Sequence, residues 1–375
     1  MKLFDVYPLY DITPVKAEGM YVYDENGQQY LDLYGGHAVI SIGHSHPVYV
    51  KNVSDQLKNL GFYSNAIKNP LQNELAERLG KLSGCKDYQL FLCNSGAEAN
   101  ENALKLASFI TNRSSVVAFK NAFHGRTSAA VASTDNPAIN APLNKQQKVT
   151  FLPLGDINLL EEALKAEDVC AVIIEYIQGV GGLDEATKDF YEEMNCLCKK
   201  YGTLLIADEV QAGFGRTGNF FAFQEYTVFP DIISVAKGMG NGFPVGGILI
   251  HEAIKPSYGL LGTTFGGNHL ACAASLAVLE ILEKENLMEN ALKMESYFRA
   301  KAAEIPSVKK IKGRGLMLGL EFDFEVATLR KNLIHKHHIF TGSAKNKYVL
   351  RILPPLCINT QHIDAFFEAL KAEIL

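Results

Sequence analysis

Lys237 follows the short apolar run Ile232, Ile233, Val235 and Ala236 and precedes glycines 238, 240 and 242. That is the pattern of a buried strand ending in a tight turn. Desolvation at such a strand end disfavours an ammonium ion and leaves a nucleophilic amine. A solvated lysine after a strand has the same local sequence, so its company decides. Asp208 ends a second apolar run, residues 203–207, and Glu175 a third, Val169–Ile174. Phe123 and Arg126 lie just beyond a fourth, residues 115–120. A fifth, Tyr88–Cys93, leads into Asn94, Ser95, Gly96, Ala97 and Glu98. There the small residues let backbone amides at a helix N-terminus approach an anion, and Ser95 and Glu98 have capping-box spacing. The same residues also make an ordinary well-capped helix.

Taken together, a strand-end aspartate, a strand-end lysine further along and an anion cup beneath an aromatic describe a pyridoxal 5'-phosphate site. The lysine forms a Schiff base with the cofactor. The carboxylate keeps the pyridine nitrogen protonated, so that the ring accepts electrons from a carbanion. Phe123 has the flat face to stack on such a ring, and Arg126 the planar fork that grips a carboxylate.

The elements that must position these groups follow from the same periodicities. From residue 88 to 250, strands and helices alternate, a helix over 184–201 among them. This predicts an α/β fold with a mostly parallel sheet covered by helices on both faces, binding ligands beyond its strand ends. Ahead of it, residues 17–34 read as a hairpin with its turn at 25–27, followed by a turn at His44–Pro47 and helices at 48–60 and 70–82. Behind it come helices at 269–283 and 287–305, strands at 315–322 and 348–352, and a last helix at 360–374. The chain divides into an N-terminal segment (1–47), a large cofactor-binding domain (48–262) and a smaller αβ C-terminal domain (263–375).

The 375 residues are 47% hydrophobic and 21% charged, with a formal net charge of -5 and a pI near 6.1. This balance disfavours a general nucleic-acid or anionic-membrane binder. No apolar stretch reaches signal-peptide or membrane-spanning length, and seven scattered cysteines fit reduced thiols, which points to the cytoplasm. Neither Cys196/Cys198 nor His44/His46 has further ligands at metal-site spacing, so no metal is expected. A nucleotide-dependent oxidoreductase is the alternative from another class. It lacks support, because no G-x-G-x-x-G opens a helix and no G-x-x-x-x-G-K-[ST] occurs. A cofactor-free binding protein on the same fold is a further alternative.

The stretches NSGAEANENALKLA at 94, NAFHGRT at 121, LLIADEVQAGFGRTG at 204, PDIISVAKGMGNGFPVGG at 230, TTFGGN at 263, GRGLMLGLEF at 313 and LRILPPL at 350 span most of the chain. In them it resembles the class III (subgroup II) aminotransferases of pyridoxal phosphate fold type I, above all the acetylornithine aminotransferases of arginine biosynthesis. The resemblance implies that Lys237 carries the cofactor and shuttles the proton, and that Asp208 pairs with the pyridinium. It puts Gln211 near the cofactor hydroxyl, the backbone of Ser95, Gly96 and Ala97 on the phosphate, and Phe123 on the ring. Thr264 would reach the phosphate in the neighbouring subunit of a homodimer with shared active sites, and Thr263 would contact substrate.

For substrates, the resemblance implies an N-acylornithine as amine donor and 2-oxoglutarate as acceptor, giving glutamate. Arg126 would hold the distal carboxylate in both halves, and Arg351 the carboxylate beside the reacting carbon. Glu175 would cover Arg351 by a salt bridge while the amine is bound. Ornithine or 4-aminobutyrate aminotransferase activity is the near alternative. The chain departs from the family pattern at Tyr176 and Val180, where a proline and a glutamate are usual, and at His37. These changes are expected to reshape the acyl pocket and leave acetyl and succinyl donors both open.

Overall fold

The computed structural model describes residues 1–374; residue 375, the last of the tail assigned above to the small domain, lies outside the described residues. The chain opens with strands β1 (Pro14–Glu18), β2 (Tyr21–Asp24) and β3 (Gln29–Asp32), paired antiparallel in sequence. The expected hairpin turn forms because Asp24 Oδ1 accepts from the amides of Asn26 and Gln28, each at 2.9 Å.

The central sheet contains β4 (Tyr88–Cys93), β5 (Ser115–Phe119), β6 (Val149–Leu152), β7 (Val169–Ile174), β8 (Leu204–Asp208), β9 (Ile232–Val235) and β10 (Gly246–His251), in the order β4-β10-β9-β8-β7-β5-β6. Only β10 runs against its neighbours, so β4, β5, β7, β8 and β9 all end on one side. All residues of β5, β7 and β9 are buried, as in a sheet covered on both faces. Each buried valine or isoleucine there contributes roughly 1.5–3 kcal/mol. The helix His269–Lys284 is buried almost all round and packs against the helices Pro47–Asn59, Pro70–Ser83 and Leu287–Ala303.

Beyond it lie β11 (Lys310–Arg314), β12 (Met317–Glu321), β13 (Ile339–Phe340), β14 (Gly342–Ser343) and β15 (Val349–Ile352). Four of these form a sheet in the order β11-β12-β15-β14, while β13 joins β3 in parallel. The N-terminal hairpin thus shares a sheet with the tail, and Leu353 N donates to Leu33 O at 2.8 Å beside it.

Several boundaries differ from the sequence-based expectation. The helix expected from residue 184 begins at Lys188, because Thr187 caps it and residues 178 and 184 form an antiparallel bridge. The single strand expected over 315–322 is half of a hairpin that turns at Gly315. The helices Ile157–Leu164 and Ala327–His337 were not foreseen.

Candidate active site

A cavity of about 360 Å³ opens where β4, β5, β7, β8 and β9 end, with Lys237 on its wall. Val235 ends β9, and Lys237 starts a single 3-10 turn at φ 46°, a left-handed conformation unusual for a residue with a side chain. The turn is clamped from outside. Ser41 Oγ donates to Gly238 O (2.8 Å), Tyr49 Oη to Gly240 O (2.8 Å), and Asn241 Oδ1 accepts from Ser41 N (2.8 Å) and Ile42 N (3.1 Å). Burial lowers the Lys237 pKa, Asp208 and Glu175 oppose that shift, and Arg351 adds to it.

Asp208, the last residue of β8, is buried and bonded on both oxygens. Oδ2 accepts from Asn100 Nδ2 and His124 Nδ1, each at 2.7 Å, and Oδ1 from Val210 N at 3.0 Å. Asn100 also donates to His124 O at 2.7 Å, which closes a three-residue network around one carboxylate. Neither Asn100, one turn into its helix, nor His124 was assigned a role from sequence. Their place in the stretches quoted above was the available signal.

The helix Gly96–Thr111 starts on the opposite wall. Ser95 Oγ accepts from Glu98 N at 3.2 Å, as a cap should. Glu98 departs from the expected box by reaching back one residue further, to Asn94 N at 2.8 Å. Ser95 O accepts from Ala99 N at 3.0 Å, so the amides of Gly96 and Ala97 are left for a ligand. Gly96 is also required sterically, since a Cβ there would stand 2.5 Å from Cγ1 of Val210. Val210 and Phe123 both line the cavity, as does Gln211. Gln211 donates to His37 O at 3.1 Å and keeps a buried Oε1 without a partner. Anion-seeking amides, a fixed carboxylate, a desolvated amine, two flat or branched apolar faces and an unsatisfied amide oxygen are the set that pyridoxal phosphate requires.

The substrate residues are less uniformly placed. Arg126 is exposed on the cavity wall, and Glu175 and Val180 also line it. Burial pushes Glu175 up to about 7, against His124 and with Asp208. Thr263 sits beside the cavity, its Oγ1 accepting from Gly266 N at 3.0 Å and Asn94 Nδ2 at 3.5 Å. Thr264 is exposed and is not among the cavity's lining residues. Arg351 is buried behind Glu175 and Gly179.

The expected ion pair between Glu175 and Arg351 is not formed. Both oxygens of Glu175 are taken by the amides of Phe123 and Gly179, each at 2.9 Å. Arg351 instead donates to Gly179 O at 2.9 Å and to Ser343 O. Nor does Tyr176 reshape the pocket, because it turns away into the core and packs 4.8 Å from Tyr191 and 5.8 Å from Tyr226. His37 does not line the cavity; its imidazole is hydrogen-bonded to Tyr34 Oη.

Comparisons with known proteins follow the same lines. The family model for aminotransferase class-III matches residues 6–374. An acetylornithine aminotransferase of Bacillus subtilis (strain 168) is 39% identical over 380 residues, covering 99% of this chain and 97% of that protein. One of Aquifex aeolicus (strain VF5) is 38% identical, covering 100% and 99%. Among solved structures, the ornithine aminotransferase of Toxoplasma gondii ME49 has a TM-score of 0.89 at 28% identity, covering 98% of this chain and 92% of that one. A second structure of the Toxoplasma gondii enzyme, described with partial occupancy of PLP at its active site, has a TM-score of 0.88 at 28% identity, covering 97% and 91%.

Proposed function

The chain belongs to the class-III aminotransferases, pyridoxal-phosphate enzymes of fold type I, and on that footing we propose that it transfers the δ-amino group of N-acetylornithine to 2-oxoglutarate in arginine biosynthesis. One observation carries this reading. The desolvated Lys237 amine faces a cavity that also holds the fixed anion Asp208 and the exposed cation Arg126, with a second arginine, Arg351, just behind the wall. An amine that forms a covalent link, an anion for an electron-poor ring and two cations for a dicarboxylate are the needs of transamination with a 2-oxo diacid.

Bound pyridoxal phosphate supplies an electron sink for the carbon that gains or loses the amino group. The chain's own residues supply the rest. Lys237, its ammonium disfavoured by burial, serves as nucleophile and then as the base that moves the proton at that carbon. Asp208 is held in one orientation by Asn100 and His124, and would pair with the cofactor's ring nitrogen. The amides of Gly96 and Ala97 would hold the phosphate, and Phe123 and Val210, which line the cavity, would pack against the ring. Arg126 takes the distal carboxylate, and Arg351 the carboxylate beside the reacting carbon.

The exposed position of Thr264, outside its own cavity, supports its service to the phosphate of a second copy in a homodimer. Seven free cysteines support a reducing, cytoplasmic setting, and among the described residues no helix is long and apolar enough to cross a membrane. Turnover of the holoenzyme with N-acetylornithine, N-succinylornithine, ornithine and 4-aminobutyrate tests the substrate. N-acetylornithine is expected to lead, and a wide margin for free ornithine would overturn the assignment.

A further inference from the structure

Arg351 is a buried cation with no carboxylate within ion-pair distance among the described residues. Besides two carbonyls it meets Tyr34: its guanidinium carbon lies 5.9 Å from the centroid of that ring, and the Tyr34 hydroxyl nearby also favours its charge. A buried guanidinium without a counter-charge is costly, and an aromatic face returns roughly 0.5–2 kcal/mol.

Tyr34 is held in place from several directions. Residues 35–38 have φ values of 55°, 55°, 70° and 62°, one turn of left-handed backbone. Glycines 35 and 36 accept this freely, whereas His37 and Ala38 adopt it at a cost of roughly 1–2 kcal/mol each. The turn is pinned by Asp32 Oδ1, which accepts from Tyr34 N (2.9 Å) and Gly35 N (2.8 Å), and by the bond from Gln211 to His37 O. Its effect is to bring the His37 ring back to Tyr34, where Nδ1 meets the hydroxyl and the ring centroids are 4.7 Å apart. On its other side the Tyr34 ring rests on Gly342 of β14. A Cβ there would stand 2.6 Å from Cε2 of Tyr34 and 3.1 Å from Cβ of Arg351. A strained turn, a histidine and a glycine thus seat one ring against one guanidinium.

We propose that Tyr34, held by His37, is the specificity residue that covers Arg351 while the amine donor, which has no carboxylate beside its reacting carbon, is bound, and that it yields the guanidinium to the carboxylate of the 2-oxo acid. The proposal rests on Arg351 being the binder of that carboxylate. Glu175 is not free for the task, because both its oxygens hold backbone amides. A carboxylate makes a charge-assisted, forked contact stronger than the ring face, so the exchange favours the oxo acid and disfavours a donor that has only methylenes to offer Arg351.

The two half-reactions of the holoenzyme, followed separately by the visible absorbance of the cofactor, test this with N-acetylornithine and with L-glutamate. Tyr34→Leu is expected to lower the ratio of kcat/KM for N-acetylornithine over glutamate about tenfold, whereas Tyr34→Phe, which keeps the ring, stays within about threefold. His37→Ala, which removes the bond that Tyr34→Phe loses and the ring packing at 4.7 Å as well, should shift the ratio in the same direction as Tyr34→Leu and by more than Tyr34→Phe. If Tyr34→Leu does not fold, Gly342→Ala displaces the same ring and is read the same way. Equal changes in both half-reactions, with the ratio within about twofold of the parent, would overturn the proposal. Arg351→Lys separates the premise: an unchanged KM for glutamate there refutes the assigned role of Arg351. A raised KM there, together with an unmoved ratio in Tyr34→Leu, refutes the role of Tyr34 alone.

Discussion

Glu175 and Arg351 hold one residue by its two backbone groups: Glu175 Oε2 accepts from the amide of Gly179, and Arg351 Nη1 donates to the carbonyl of Gly179, both at 2.9 Å. The carboxylate therefore acts on Arg351 through the backbone rather than by an ion pair. A covering carboxylate would hinder 2-oxoglutarate, and its removal would ease binding of the oxo acid. The observed bonds predict the opposite. Glu175→Ala leaves two amides without their acceptor, at roughly 1–3 kcal/mol each, and loosens Gly179, whose carbonyl Arg351 holds. Steady-state kinetics should show KM for 2-oxoglutarate rising about tenfold, and the thermal midpoint should fall by several degrees. A lowered KM would restore the ion-pair account.

Lys237→Ala should abolish the visible band that added pyridoxal phosphate develops in the parent protein. Asp208→Ala should keep that band and lose turnover on the order of a hundredfold in single-turnover experiments. The pH dependence has a definite sign. Burial holds the Lys237 pKa below the ordinary 10.5, so the neutral amine appears at lower pH than in a solvated lysine. Capture of cofactor by the apoprotein should speed up as pH rises and level off below 10.5. A rate still climbing past that value would show an unperturbed lysine.

The strand-end residues were readable in the sequence because strands buried on both faces appear as apolar runs. Lys237, Asp208, Glu175, Phe123 and the Ser95–Ala97 turn accordingly meet on one cavity. The strand pairing was not readable, and neither was the single reversed strand β10, whose apolar sequence is compatible with either direction. Tyr176 lies past the end of β7, where strand alternation no longer decides its direction, and only the folded chain shows it turned into the core. The partners of Asp208 were hidden for a different reason. Asn100 and His124 reach it across 108 and 84 residues of chain, and no local pattern encodes that meeting. The left-handed turn at 35–38 carries a glycine signal only in its first half, so the positions of His37 and Tyr34 come from the folded chain alone.

The network around Asp208 predicts that positioning matters as much as charge. Asn100→Ala and His124→Ala each remove one charge-assisted bond at 2.7 Å, worth roughly 1.5–3 kcal/mol. Each should lower kcat by about tenfold or more while retaining the visible band, and each should move the pH at which that band changes, because the carboxylate that would pair with the ring nitrogen is no longer fixed. Loss of stability with an unaltered pH profile would mark them as packing residues only.

Glu209, beside Asp208, offers a test of the site's supporting core that is independent of cofactor. It is buried, with its two oxygens accepting from Ala222 N (2.9 Å) and Phe223 N (3.0 Å). Burial pushes it up to about 8 from an ordinary 4.5; these two amide bonds oppose the rise and Asp208 adds to it. Between 4.5 and about 8 the native state keeps a proton that the unfolded chain has released. Stability contributed by that proton is complete below 4.5 and is lost as pH rises through about 8, on the order of a few kcal/mol. Glu209→Gln has no proton to lose and forfeits one amide acceptor. The apoprotein variant should therefore be less stable than the parent at pH 5, and the gap in urea midpoints should narrow steadily towards pH 8.5. Groups titrating in both proteins, Glu175 among them, cancel in the difference. Parallel midpoint curves across that range would show that Glu209 is already ionised in the folded protein.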